Sequence, residues 1–201
     1  MKILLATNNQ GKVERYKTLV AQTGLDIELC IPSELGIVAR EVEENADSLA
    51  GNAELKARAY FGLVDMPILA NDTGFYVEGE GLVEAPKREA LGDIDERTLS
   101  NEDRAARLLA FWKGIATKYG GQVDAAWVEV FVVLYPNGTV RRADSCREVL
   151  LTDQEFGTPH LAMPVRALYY SKITNKPSIQ HTEVEELAEM QPVIDALVQV
   201  L

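Results

Sequence analysis

Short apolar runs that end in clusters of small polar residues, with helical patterns between them, constrain the fold of this chain most strongly. The first run, Lys2 to Ala6, does not alternate and is typical of a strand covered on both faces of a sheet. From Val13 onward apolar residues recur at helical spacing, until Gly24 ends the pattern. A strand followed directly by such a helix is typical of an α/β domain.

The same alternation continues along the chain. Strands are predicted at Asp26 to Cys30 and at Pro67 to Ala70, with a helix from Ser48 to Leu63 between them. A polar turn is expected to break the third strand at Asn71 to Gly74, and residues 79–92 are expected to form a surface loop.

The second half of the chain predicts a long helix and a hairpin. The helix spans Ser100 to Tyr119, and Pro136 to Thr139 is the turn between two strands rich in β-forming residues. A capping box at Thr182 starts a short helix, and a last helix is expected to begin at Pro192, because proline is favoured at the first helical position. We therefore predict one α/β domain over residues 1–201, with a mixed twisted sheet, flanking helices and a long β-hairpin.

The charge balance and the lack of long apolar runs exclude several classes of partner. Asp and Glu number 31 against 20 Lys and Arg, a formal net charge of −11, which argues against binding to a nucleic-acid polymer. No apolar run approaches the length of a membrane span, and the short apolar start lacks the core of a signal peptide. Cys30 and Cys146 form no CxxC pair and indicate the thiols of a cytoplasmic protein, with one bridge between them left open.

Two polar clusters that follow predicted strands are candidates for chemistry. Thr7 to Lys12 leads into a helix, where backbone N–H groups and the lysine can hold an anion; the alternative is an ordinary turn with a helix N-cap. Asp72, beside Thr73 and Gly74, can hold a metal or activate water; the alternative is a tight turn in which Asp72 caps backbone N–H groups. Because ligands bind α/β sheets at the carboxyl ends of strands, the two clusters are expected to converge.

A third cluster is the charged run Arg40 to Asn45, followed by Asn52 and Lys56. The run by itself is typical of a solvated surface. Asn52 and Lys56 are four residues apart, however, and so share one helical face. Carboxylates and lysines from distant segments are what Mg²⁺-bridged phosphate chemistry requires.

Three segments resemble motifs of the inosine triphosphate pyrophosphatase family, in the family's order and at its distances. The opening ATNNQGKVERYK resembles A-T-G-N-x-G-K; EENADSLAGNAELKARAYF resembles E-E-x-G-x-(S/T)-F-x-E-N-A-x-L-K-A-R; and MPILANDTGFYV resembles L-P-x-(L/I)-A-D-D-S-G-L-x-V. Together they cover about the first 80 residues, which is more specific than any one motif.

The resemblance implies an elongated two-lobed α/β fold with a central cleft, a homodimer, and Mg²⁺-dependent hydrolysis of aberrant purine nucleoside triphosphates to monophosphate and pyrophosphate. It implies Glu43 and Asp72 as metal ligands, with Asp72 also orienting or deprotonating the attacking water. Lys12 and Lys56 complete the catalytic group, and Thr73 touches substrate. The triphosphate is expected to bind the turn residues Thr7, Asn8, Asn9, Gln10, Gly11 and Lys12, together with Lys56.

The chain also departs from the family's pattern. Asn71 and Gly51 replace two of its acidic residues. The F-G-Y-D-P segment that reads the base aligns with the residues around Arg166, the S-H-R motif falls at Met190 to Pro192, and neither matches. Arg166 and Lys176 are the predicted substrate contacts in this half of the chain.

The main prediction is therefore a Mg²⁺-dependent nucleoside triphosphate pyrophosphatase with an altered base preference. The alternative is a nucleotide-binding protein of the same fold without efficient catalysis, and a third interpretation is unrelated chemistry on a similar scaffold. Phe111, Trp112 and Trp127 are either contacts of the homodimer or part of the core.

Overall fold

The computed structural model describes residues 1–83 and 86–201. The elements, in chain order, are β1 (Lys2–Leu5), α1 (Gln10–Gln22), β2 (Glu28–Cys30), α2 (Leu49–Arg58), β3 (Ile68–Val77), β4 (Gly81–Val83), α3 (Pro86–Leu91), α4 (Asn101–Lys118), β5 (Gln122–Leu134), β6 (Val140–Thr152), β7 (Tyr169–Ser171), β8 (Lys176–Pro177) and α5 (Glu183–Val200). Short 3₁₀ helices lie at Pro32–Leu35, Glu96–Thr98, Pro164–Leu168 and Ser178–Gln180. Within the described ranges, no helix is both long and apolar enough to cross a membrane.

The strands form one mixed sheet. Their order is β2-β1-β3-β5-β6-β7-β8, with β4 paired to β3. β1 lies parallel to both of its neighbours, and Leu4 pairs with Cys30 on β2 and with Ile68 on β3. β4, β7 and β8 pair antiparallel with their partners. The predicted α/β class, with a mixed sheet and flanking helices, is confirmed.

The predicted hairpin turn joins β5 to β6. The backbone N–H of Tyr135 donates to the Thr139 carbonyl at 2.8 Å, and that of Gly138 donates to the Tyr135 carbonyl at 2.9 Å. Gly138 has a φ of +83°, a conformation that residues with a side chain rarely adopt. A glycine is therefore what this position of the turn requires.

By its internal packing the chain divides into two compact units, and the first consists of Met1–Thr73, Val128–Cys146 and Met190–Leu201. Helices cover both faces of the sheet in this unit. On one face α1 and the end of α5 pack in a cluster with Leu69 and Phe131. On the other face α2 packs through Ala53 and Ala57 in a cluster with Ile68.

The second unit consists of Gly74–Trp127 and Arg147–Glu189, and aromatic side chains fill its core. Trp112 of α4 meets Phe75 of β3 edge-on, with ring centroids 5.1 Å apart and an interplanar angle of 81°. Trp112 is only 4% exposed, and Phe111 and Trp127 pack against the same cluster. All three aromatics therefore serve the core of this unit.

The two cysteines differ in exposure and are not bonded to each other. Cys30 is buried, with its Sγ 3.4 Å from the Ile3 carbonyl oxygen, and Cys146 is exposed. The bridge between them that the sequence left open is not formed.

β3 differs from the prediction, which placed a turn at Asn71 to Gly74. The strand runs unbroken through these residues. Asn71 and Asp72 are 5% and 7% exposed, and each side chain has a lysine as its partner. Because these polar side chains find partners on other elements, they do not need the local hydrogen bonds of a turn, and the extended run continues.

The last helix also begins earlier than predicted. α5 starts at Glu183, where Thr182 and Glu185 form the expected capping box, and it continues through Pro192. An interior proline costs a helix about 3 kcal/mol. The neighbouring turns carry buried residues on both sides of the proline, such as Val193 at 0% exposure, and this burial outweighs the proline's local preference.

The predicted loop over residues 79–92 is partly regular. It contains β4 and α3, and α3 begins at Pro86, since proline is favoured at the first helical position. Glu84 and Ala85, which belong to the same prediction, lie outside the described residues.

Candidate active site

A pocket lies where β1 ends and α1 begins. Because β1 and β3 are parallel, the polar residues that follow β1 lie beside the middle of β3. The pocket has a volume of about 490 Å³, and its lining comes from several distant stretches of chain: Ala6, Thr7, Asn8, Asn9, Lys12, Arg40, Glu41, Val42, Glu44, Lys56, Tyr60 and Asn71. The three polar clusters of the sequence thus meet in one place.

The turn between β1 and α1 is both a helix cap and a wall of the pocket. The Asn9 side chain accepts the backbone N–H of Lys12 at 3.1 Å, and Thr7 Oγ1 accepts that of Asn9 at 3.2 Å. The first three residues of the turn line the pocket, whereas Gln10 and Gly11 do not. The N-cap interpretation is therefore confirmed for Asn9, and the capped turn faces the pocket.

Lys12 projects from the first turn of α1 toward β3. Its Nζ donates to Asn71 Oδ1 at 3.4 Å. Burial lowers the pKa of Lys12 and the neighbouring Lys56 ammonium lowers it further, while nearby carboxylates act in the opposite direction. A cation that is desolvated and repelled by a second cation gains from an anionic ligand.

Lys56 reaches the same region from the other face of the sheet. It projects from α2, and its Nζ lies 2.8 Å from Asp72 Oδ1 and 2.9 Å from Glu44 Oε2. The Lys56 and Asp72 side chains are 15% and 9% exposed, so this ion pair is largely withdrawn from water. One ammonium therefore holds together two carboxylates from different segments.

The alternation of side chains along β3 explains how helices on opposite faces meet the same strand. Successive side chains of a strand point to opposite faces. Asn71 contacts Lys12 of α1, and Asp72 contacts Lys56 of α2. Thr73 returns to the first face, where its Oγ1 accepts from Asn71 Nδ2 at 3.0 Å. The structure thus brings Lys12, Lys56, Asp72 and Thr73 together, as predicted.

Local contacts fix the charged run before α2. Ser48 Oγ accepts the backbone N–H of Gly51 at 3.1 Å and caps the helix, and Asn52 Oδ1 accepts the backbone N–H of Ala46 at 3.0 Å. A Cβ on Gly51 would lie 2.6 Å from the Cβ of Ala46, so a side chain does not fit there. The close packing of this loop therefore requires glycine at position 51, where the family's motif has an acidic residue.

The two predicted metal ligands are placed differently. Asp72 lies in the site, whereas Glu43 is exposed and is not among the lining residues; its neighbours Glu41 and Glu44 are. Over residues 1–83 and 86–201, no three His, Cys, Asp or Glu side chains lie close enough to hold a metal. Mg²⁺ is usually bound by one or two carboxylates together with substrate phosphates, so Glu44 and Asp72 around one ammonium fit this ion with a nucleotide as co-ligand.

Arg166 and Lys176 lie in the second unit, and each is paired with an acidic residue of α5. Arg166 Nη2 donates to Glu186 Oε2 at 2.5 Å and to a backbone carbonyl at 3.1 Å. Lys176 Nζ lies 3.0 and 2.9 Å from the two oxygens of Glu185. The backbone N–H of Thr182, followed by Lys176, lowers the pKa of Glu185 to about 2. The substrate contacts of both cations stay predictions.

Sequence reasoning missed a buried acidic residue in the first unit. Glu129 of β5 is 0% exposed, and it binds Arg15 and Tyr16 of α1. The available signal is a single glutamate inside the otherwise apolar run from Val128 to Leu134. A charged side chain in a buried strand needs a hydrogen-bonding or oppositely charged partner, so this glutamate indicates a polar contact inside an otherwise apolar core.

Comparisons with known proteins cover most of the chain. A sequence model of the Ham1 family matches residues 3–141. Relatives named dITP/XTP pyrophosphatase come from Symbiobacterium thermophilum (35% identity over 68% of this chain and 63% of the relative), Aquifex aeolicus (37% over 52% and 51%) and Desulforamulus reducens (30% over 76% and 72%). The chain spans less than two thirds of the length of the first two relatives.

Solved structures share the fold over the whole chain. The Staphylococcus aureus Ham1 protein matches with a TM-score of 0.71 at 21% identity, covering 98% of this chain and 96% of its own. A HAM1 protein from Coxiella burnetii matches with a TM-score of 0.73 at 17% identity, covering 100% and 98%. The architecture described above is therefore also that of solved proteins.

Proposed function

The chain belongs to the Ham1 family, and from this membership and the geometry of the pocket we propose that it is a pyrophosphohydrolase of aberrant purine nucleoside triphosphates. dITP and XTP, which the names of its relatives give as substrates, carry deaminated purine bases. The proposed products are the nucleoside monophosphate and pyrophosphate. The observation that carries the proposal is the convergence of Lys12 and Lys56 on consecutive residues of β3.

Two ammonium groups at one strand suit a triphosphate. The protein as a whole carries a formal charge of −11, so a phosphate ligand needs a local source of positive charge. Lys12 and Lys56 supply it from opposite faces of the sheet, and the capped turn at Thr7 to Asn9 adds polar groups at the start of a helix.

In the proposed mechanism a water molecule attacks the α-phosphorus, and the bond from that phosphorus to the oxygen that bridges to the β-phosphate breaks. Asp72 accepts a proton from the attacking water, while Lys12 and Lys56 neutralise the charge of the departing pyrophosphate. Phosphoryl transfer depends on positioning and charge compensation more than on covalent chemistry. No covalent intermediate with the protein is needed.

Mg²⁺ is the metal that we propose to bind with the substrate. Asp72 and Glu44 would supply protein oxygens for it, and Glu43 is the ligand that the motif match predicts. When bound, the ion would neutralise phosphate charge and polarise the phosphoryl oxygens. Lys56 would then exchange its two carboxylate partners for phosphate oxygens.

The remaining parts of the proposal come from the family resemblance. We propose a cytoplasmic homodimer in which Arg166 and Lys176 also contact the substrate. Sedimentation at micromolar concentration tests the assembly. A species of twice the chain mass supports the homodimer, and a species of 22.2 kDa alone contradicts it.

Release of pyrophosphate by the purified chain tests the proposed activity. The panel contains dITP, XTP and ITP, with dATP, dGTP and dUTP as the comparison, each with Mg²⁺. We expect faster release from the deaminated purines. No release from any member of the panel would contradict the proposal.

A nucleotide-binding protein without turnover is the second candidate. The Lys56–Asp72 ion pair favours this candidate, because the ammonium occupies the carboxylate proposed as the base. Asn71 also favours it, because it stands where the family has a further carboxylate. Such a protein would melt at a higher temperature with nucleotide, because ligand binding stabilises the folded state, yet it would release no pyrophosphate.

A further inference from the structure

Arg40 is a pocket residue with no role in the reaction as described so far. It lies in the charged run before α2 and lines the same pocket as Lys12 and Lys56. Lys56 is shared by two carboxylates, and Lys12 donates to the side-chain amide of Asn71. Within the described part of the chain, the Arg40 guanidinium forms no ion pair and no hydrogen bond. Of these three cations, Arg40 is therefore the one whose charged group is not already engaged.

The backbone of Arg40 is fixed on both sides. Its N–H donates to the Tyr60 hydroxyl at 2.9 Å, and its carbonyl accepts from Asn8 Nδ2 at 3.4 Å. Tyr60 follows α2, whereas Asn8 belongs to the turn between β1 and α1. The Arg40 side chain therefore starts from a point where the end of α2 and the β1–α1 turn are tied together.

The Tyr60 anchor belongs to the core of the first unit. The residue is 2% exposed and packs in the same cluster as Ala53 and Ala57 of α2. A buried tyrosine hydroxyl needs a hydrogen-bond partner, and the backbone of Arg40 supplies it. The core thus sets the position of residue 40, although its side chain is exposed. Such prior positioning lowers the entropy that a ligand must spend on ordering its contacts.

The charges around Arg40 favour a ligand over a structural role. Glu41 and Glu44 line the same pocket, yet Arg40 pairs with neither within the described residues. An exposed cation without a partner adds little to the stability of the fold. A guanidinium presents parallel N–H donors that match two oxygens of a phosphate. Arg40 therefore suits an anionic ligand in the pocket.

The lysines and Arg40 approach the pocket from different places. The proposed base, Asp72, must lie near the α-phosphorus, and Lys12 and Lys56 contact β3 at this residue and the one before it. The described hydrogen bonds of Arg40 go to Asn8 and to the tyrosine after α2, and none goes to β3. Arg40 is thus the cation left for the phosphate farthest from the bond that breaks.

We propose that Arg40 binds the terminal phosphate of the substrate and selects nucleoside triphosphates over diphosphates. The inference rests on the proposed function. It gives the exposed charged run before α2 a part in substrate choice that its composition alone does not predict.

Steady-state kinetics with dITP and inhibition by dIDP test this role. Arg40→Ala should raise KM for dITP roughly 10- to 100-fold, the effect of one lost charge-assisted contact. It should leave kcat within about 2-fold, since a phosphate remote from the reacting bond is held equally before and during the reaction. The inhibition constant of dIDP, which can be measured whether or not dIDP is hydrolysed, should stay unchanged. An equal rise of that constant, or a fall of kcat with KM unchanged, would overturn the proposal.

Arg107→Ala is the matched control. Arg107 lies on α4, is exposed, does not line this pocket and, among the described residues, also forms no ion pair. The control makes the same change of net charge and should leave KM for dITP unchanged. An equal rise of KM in Arg107→Ala would trace the effect to overall charge and would overturn the proposal.

The melting temperature without ligand separates a lost contact from a disturbed loop. The Arg40 guanidinium has no described partner to lose, so Arg40→Ala should melt at the same temperature as the wild type. A clearly lower melting temperature would make the rise of KM a structural effect and would overturn the direct contact.

Calorimetric titration with inorganic tripolyphosphate gives a readout that does not depend on activity. Arg40→Ala should bind it about 10-fold more weakly than the wild type, whereas dIMP, which lacks the outer phosphates, should bind both equally. Equal tripolyphosphate affinity in the two proteins, or no binding to the wild type, would overturn the proposal. Weaker binding in Arg40→Ala, with a wild type that releases no pyrophosphate, would support the contact and contradict the proposed function.

Discussion

The Lys56 ammonium and the Asp72 carboxylate lie 2.8 Å apart, and both side chains are largely buried. Each charge of a buried ion pair depends on the other, because removing one leaves the other buried without an opposite charge beside it. In the proposed reaction the two groups act on different partners. Asp72 accepts a proton from the attacking water, and Lys56 binds phosphate. The free protein thus holds the proposed base and the phosphate-binding cation as one pair.

Asp72→Asn should lower the turnover number for dITP by about 10² to 10⁴, the range typical of a lost general base. The amide keeps the shape of the side chain and removes its charge. Steady-state pyrophosphate release measures the effect.

Asp144→Asn is the matched control for that variant. Asp144 pairs with Arg142 on the surface and is half exposed, so the same chemical change there should leave turnover unchanged. Unaltered turnover in Asp72→Asn would remove Asp72 from the mechanism.

Lys12 should set an alkaline limit on nucleotide binding. Burial, followed by the Lys56 charge, lowers its pKa from the usual 10.5. Only the protonated ammonium attracts phosphate, so binding that is complete at neutral pH should weaken as the pH rises through the lowered pKa. The pH at which KM for dITP begins to rise should therefore be lower than it would be for a lysine with the usual pKa.

Lys12→Arg separates this effect from other alkaline losses. A guanidinium stays charged above pH 12, so the rise of KM should move to higher pH even if affinity at neutral pH is poorer. If the wild type and Lys12→Arg show the same alkaline rise of KM, Lys12 is not its source.

Most of the proposed phosphate site could be predicted from the sequence. Lys12 follows buried strand β1, and Asp72 lies in β3, the parallel strand beside it, so their approach follows from strand order although the predicted turn at Asp72 was wrong. Lys56 could be placed because helical spacing puts it on one face with Asn52. Periodicity and strand order predict where these side chains lie, whereas their roles at a phosphate site come from the family resemblance.

The rest depends on contacts between distant segments. Asn71 lies in a strand and not in the predicted turn, and its partner Lys12 is 59 residues away in the sequence. Glu129 binds Arg15 and Tyr16, which lie on another element more than 110 residues earlier in the chain, and no local pattern predicts that pairing. Glu43 and Glu44 lie in an irregular segment of the chain. No helical or strand period there predicts which of the two side chains faces the pocket.

Glu44→Gln and Glu43→Gln should therefore differ in their need for Mg²⁺. Glu44 shares the Lys56 ammonium with Asp72, whereas Glu43 is exposed outside the pocket lining. Loss of a metal-binding carboxylate should raise the Mg²⁺ concentration for half-maximal turnover at least about 10-fold, and we expect this for Glu44→Gln only. The reverse result would assign the metal to Glu43, as the motif match predicts, and would contradict the place proposed for Glu44.

Arg166→Ala should reduce the preference for deaminated purines. Arg166 Nη2 bonds Glu186 and a backbone carbonyl, and with 29% of its side chain exposed the guanidinium can still meet a ligand. Arginine only donates hydrogen bonds, so it suits the O6 and N7 acceptors of a deaminated purine. Removing it should lower the ratio of kcat/KM between dITP and dATP by about 1–3 kcal/mol, roughly 5- to 150-fold. Arg166→Lys keeps the charge but loses the planar fork, so it should lose most of the same discrimination. An equal fall of kcat/KM for both nucleotides in Arg166→Ala would contradict base recognition and make Arg166 a phosphate ligand.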